Sequence, residues 1–148
     1  MLKHKVTWIV IADSSRVQIV ARREGEPGFD VVTAFQSPEA HVPSHQLSSE
    51  RPGRMQESSN PAHHSVEPRL DPHEEDMIQF LKTVAHYLNE NATREDVLAL
   101  ILFAPPRALG HLRKMLKPGV AEKIRAEVPK DLTKLPLTEL PKHLEALR

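Results

Sequence analysis

The chain has 148 residues, 39% of them hydrophobic, with 20 Lys plus Arg against 20 Asp plus Glu and no cysteine. Such a length and composition fit one globular domain over residues 1–148, and zero net charge argues against sequence-blind nucleic-acid binding by the whole surface while leaving room for a local basic patch. The lack of cysteine excludes disulfides, thiolate metal sites and cysteine catalysis.

The opening "MLKHKVTWIVIADSS" has a basic start, but its apolar run covers only Val6 to Ala12, aspartate follows at once, and no small-residue cleavage site is present. It reads as a buried strand, not a signal peptide. No stretch approaches the roughly 20 apolar residues of a membrane span, so the expected compartment is the cytoplasm and no membrane partner is expected. "DSSR" forms a turn, "RVQIVARR" alternates as a hairpin partner does, "EGEPG" breaks the chain again, and "FDVVTAF" is a third strand. The first ~35 residues are thus an antiparallel meander.

Residues 36–70 carry five of the thirteen prolines and little apolar periodicity. They read as a long, partly ordered loop between strand 3 and helix 1, with a short helix over 39–46 as the alternative. A strong helix start follows: Asp71 as cap, Pro72 in the first turn, and Glu74 completing an Asp-x-x-Glu box. Met77, Ile78, Leu81, Val84, Ala85 and Leu88 then form one apolar stripe.

"VLALILFA" is the most apolar run and predicts a central strand covered on both faces. "PPRALGHLRKML" is the next helix, with Leu109, Leu112, Met115 and Leu116 inward, and "KPG" stops it. A helical turn, a strand near Ile124–Val128, and a closing helix with Leu140, Leu144 and Leu147 on its apolar face complete the chain. Pro141 is tolerable only in the first turn of that last helix. The order β-β-β-α-β-α-β-α predicts an α/β fold with a five-stranded mixed sheet of ribonuclease-H-like topology, strand order 3-2-1-4-5, with helices on its faces.

Five segments in order carry a resemblance: "IADSSRVQIV", "SSERPGR", "HHSVEPRLDPHEEDMIQF", "LFAPPRALGHLR" and "KDLTKLP". Together they resemble the bacterial host attachment family, "protein required for attachment to host cells". Members of that family look similar in fold to the middle domain of archaeal and eukaryotic peptide-chain release factors. In those factors a Gly-Gly-Gln loop ahead of a helix reaches the peptidyl-tRNA ester. This chain has no Gly-Gly-Gln, a departure that counts against peptidyl-tRNA hydrolysis and leaves ribosome or RNA contact open.

Three kinds of chemistry compete for the polar residues. His63, His64, Asp71, His73 and Glu74 are metal-capable types within twelve residues. Adjacent histidines in extended chain point to opposite sides, however, and Asp71 and Glu74 already have work as helix caps. His63 and His73 are therefore weak metal candidates, and no metal or cofactor is expected. Asp13, at the end of the first strand, is either a carboxylate for two-metal phosphoryl chemistry or a turn residue accepting backbone N–H groups. Arg107 follows the central strand at a helix N-terminus, where anions are favoured. With Arg51, Arg54 and Arg69 it forms a candidate site for phosphate or carboxylate, although Pro105 and Pro106 remove two N–H groups. The competing reading makes Arg107 an ion-pair partner of Glu67, Asp71 or Asp13.

The reading favoured by these residues is a non-enzymatic module that binds a phosphate-rich or translational partner, whether ribosome, RNA or small anion. One alternative is a hydrolase on RNA or an ester, using a cleft built from Asp13, Arg16, His63, Glu67, Asp71, His73 and Arg107. Another is an interaction protein that affects attachment indirectly.

Overall fold

A computed structural model describes residues 5–38 and 72–147. Its elements are β1 (Val6–Ala12), β2 (Arg16–Arg23), β3 (Asp30–Gln36), α1 (Pro72–Asn91), β4 (Val97–Phe103), α2 (Pro106–Met115), α3 (Pro118–Ala121), β5 (Ile124–Val128), a 3-10 turn at Leu137–Glu139 and α4 (Leu140–Glu145). The strands form one sheet in the order β3-β2-β1-β4-β5. β1 is antiparallel to β2 and parallel to β4; β3 is antiparallel to β2, and β5 parallel to β4. The expected sheet and strand order are therefore present. The loop expected over 36–70 begins later, because Gln36 belongs to β3. Residues 39–71, including Asp71 and the 39–46 alternative, lie outside the described residues.

Strand alternation sends side chains to two faces. Trp8, Val10 and Ala12 of β1, Val17 and Ile19 of β2, and Leu100 and Leu102 of β4 fill the first face, which α1 and α2 cover. Ile9, Ile11, Val20, Ile101 and Phe103 fill the second, covered by Leu132, Leu140 and Leu144 of the C-terminal segment. β4 is buried at every position but Leu98, and burial on both faces accounts for its apolar run. In the β2–β3 connection, Gly25 and Gly28 hold φ of 81° and 88°, a left-handed conformation that favours glycine.

The α1 stripe buries Met77, Phe80, Leu81, Val84, Ala85 and Leu88. Phe80, absent from the expected stripe, sits edge-on to Phe35 at 5.9 Å, while Ile78 is only partly buried. Trp8 stacks on Tyr87 at 6.2 Å, tying β1 to α1. The Asn89 amide bridges the helices at their far ends: its Nδ2 donates to the Met115 carbonyl at 3.2 Å, and its Oδ1 accepts from the Lys117 N–H at 2.9 Å. Met115 lies at the margin of this core, partly buried. Leu147 departs from expectation. α4 ends at Glu145, so the residue falls beyond the helical face and is 38% exposed.

Candidate functional site

β1 and β4 are parallel, so their carboxyl ends share one end of the sheet. There α2 starts directly after β4, and α1 brings its own N-terminus alongside. Glu74, in the first turn of α1, reaches across to α2. Its Oε1 accepts from Arg107 Nε at 3.0 Å and Nη2 at 2.7 Å, and its Oε2 lies 2.8 Å from His111 Nε2. An Nε2–H donating to this carboxylate leaves Nδ1 facing away. The Glu74 side chain is 12% exposed and that of Arg107 75% exposed. The carboxylate is thus sunk between the helices, and the guanidinium lies over it toward solvent.

Hydrogen bonds from Arg107 and then His111 hold the Glu74 carboxyl below its ordinary pKa, while desolvation pulls the other way. The same hydrogen bond to Glu74 raises the Arg107 pKa. Two helix N-termini carry partial positive charge here, which favours the carboxylate further. Pro105 precedes α2 with φ −56° and ψ 153° and without a side-chain cap. Pro106 has no N–H, so the first amides of α2 are those of Arg107 and Ala108.

Asp13 closes the β1–β2 turn. Its Oδ1 accepts from the N–H groups of Ser15 at 2.8 Å and Arg16 at 2.7 Å, and its Oδ2 accepts from Thr133 Oγ1 at 3.2 Å. The carboxylate therefore does turn work and pins the C-terminal segment. Beside it a cleft of about 340 Å³ opens among Ile11, Arg16, Gln18, Gln36 and Thr133.

The site residues read from the sequence divide accordingly. Arg107 pairs with Glu74, not with Asp13. Its other expected partners, Glu67 and Asp71, lie outside the described residues, as do Arg51, Arg54, Arg69 and His63. His73 stands exposed in the first turn of α1. Asp13 and Arg16 occupy the same end of the sheet as Arg107, but Asp13 bonds Thr133, next to Leu132 of the segment over the second face, whereas α1 and α2 pack on the first. Among the described residues, no group of three or more His, Asp or Glu gathers as a metal-holding set. His111 is the member of this corner that sequence reasoning missed. Its one signal is the i, i+4 spacing from Arg107, which puts both side chains on one helix face.

The fold resembles that of two solved translation factors. An archaeal translation termination factor, aRF1, matches with a TM-score of 0.51 and 11% identity, over 96% of this chain and 38% of that one. Dom34 of S. cerevisiae, described as a translation termination-like factor involved in RNA quality control pathways and interacting with Hbs1, matches with a TM-score of 0.52 and 8% identity, over 97% of this chain and 33% of that one. The chain thus spans about a third of either, and the likeness is one of fold, of the release-factor middle-domain kind. No curated protein matches the sequence. No helix among the described residues is long and apolar enough to cross a membrane. The profile of one family, described as "Protein required for attachment to host cells", matches residues 8–144, and the chain belongs to that family.

Proposed function

We propose that this protein is a non-enzymatic binding module for a phosphate-rich partner, with RNA or the ribosome as the partner class, and that Arg107 is a contact residue. The observation that carries this reading is the Arg107 guanidinium itself. Two of its nitrogens are fixed on Glu74, yet 75% of the side chain faces solvent where two helix N-termini meet. An anion approaching this corner meets the guanidinium before the sunken carboxylate. A guanidinium already held in place loses less side-chain freedom on binding than a free one. The fold likeness to two proteins named for translation termination supports a translational partner as the first class to test. On this reading the family's link to host-cell attachment is indirect.

The test is co-sedimentation with ribosomes across a salt series. Binding that falls steeply with salt, and that weakens in Arg107→Ala, is the expected result. Absence of co-sedimentation at low salt removes the ribosome, and salt-independent binding removes the phosphate contact.

A further inference from the structure

Two irregularities in the parallel ladders fall side by side at the opposite end of the sheet. Between β1 and β4 the register steps from Val6↔Val97 to Thr7↔Ala99, leaving Leu98 as the extra residue. Between β4 and β5 it steps from Leu100↔Ile124 to Ile101↔Ala126, leaving Arg125 as the extra one. Bulges are uncommon in parallel pairs, and they re-aim side chains. Here Leu98 is 43% exposed, and Arg125 is exposed too.

Arg22, cross-strand partner of Thr7 on β2, lies near the same place. Its guanidinium sits over the Phe29 ring, 5.8 Å from the centroid. Stacking fixes the plane of a guanidinium and leaves its edge N–H groups available. Among the described residues, neither Arg22 nor Arg125 forms an ion pair, whereas neighbouring Arg23 is engaged with Glu26 and Asp30.

Both arginines line two adjoining depressions. One is a recess of about 240 Å³ walled by Ile9, Ile101, Ala126 and Leu144, with Glu145 at its rim. The other is a polar trough of about 500 Å³ that includes Lys5, Arg23 and Glu24. A recess whose walls are partly apolar, with two arginines outside any ion pair at its boundary, is complementary to a molecule that is anionic at one end and apolar at the other. From this geometry we infer a binding site for a small amphipathic anion, a carboxylate or phosphate monoester on a short apolar chain. The head group bridges Arg22 and Arg125, and the chain lies between the sheet and α4. This inference is independent of the Arg107 corner, which belongs to the other end of the sheet.

Methyl NMR titrations of the full chain with octanoate, octyl phosphate, octanol and inorganic phosphate test it. Saturable shifts at Ile9, Ile101 and Leu144 are expected for octanoate or octyl phosphate, with octanol and inorganic phosphate each weaker by about tenfold or more. The tighter of the two anions identifies the head group. Arg22→Gln with Arg125→Gln weakens the anions by about tenfold while leaving octanol unchanged, which separates a lost head-group contact from a damaged fold. Octanol or inorganic phosphate binding as tightly as the amphiphiles, saturable shifts elsewhere, no saturable shifts at all, or an unaffected double variant overturns the inference.

Discussion

Glu74 Oε1 lies 2.7 Å from Arg107 Nη2, though 33 residues separate the two in the chain. This pair, with His111 on the second carboxylate oxygen, joins the N-termini of α1 and α2 and sets the direction in which the guanidinium faces.

The pair makes stability depend on pH in a defined sense. The Glu74 carboxyl is held below its ordinary value of 4.5, first by the hydrogen bond from Arg107 and then by that from His111. A group with a depressed folded pKa contributes stability above its unfolded pKa and loses that contribution as pH falls through the folded value. Wild type should therefore melt slightly above Glu74→Gln at about pH 7, with the gap narrower at about pH 3, below the ordinary carboxyl value. Thermal melts at both values check this, and a gap unchanged in acid contradicts it.

Two leucines of β4 should differ sharply in their response to truncation. Leu102 is fully buried on the first face, whereas Leu98 is the exposed bulge residue. Leu102→Ala should cost about 2–5 kcal/mol, through lost transfer energy plus a cavity. Leu98→Ala should stay within about 0.5 kcal/mol. Urea midpoints measure both.

Asp13 is a turn residue whose work requires an acceptor oxygen, not a charge. Asp13→Ala should cost about 1 kcal/mol, since the Ser15 and Arg16 amides lose their partner. Asp13→Asn should recover most of that, because its amide oxygen accepts in the same place. Equal losses in both variants would show that the negative charge matters beyond the turn.

The fold was legible because its strongest signals are local. An apolar run with no polar position, as in β4, has no stable place except between two layers, and the turn chemistry of "DSSR" and "EGEPG" separates the meander strands. The corner was less legible. Glu74 reads locally as half of a capping box, and nothing within a few residues of it shows that α2 will pack close enough to claim the carboxylate. Such a partnership depends on how two helices register on a sheet, a relationship that sequence spacing does not encode. The same reason hides the pairing of Arg107 with Glu74 in place of Asp13. Leu147 misled differently: its spacing continues the apolar face of Leu140 and Leu144, but the helix stops at Glu145.

The most direct test of the central claim is fluorescence anisotropy with a short labelled single-stranded RNA, titrated from about 50 to about 200 mM salt against wild type and Arg107→Ala. Binding that weakens with salt, with the log–log slope reduced by about 0.7 in the variant, is the result expected for one lost phosphate contact. Wild-type binding absent at the lowest salt, or a slope identical in the two proteins, contradicts the assignment of Arg107 to a phosphate-rich partner.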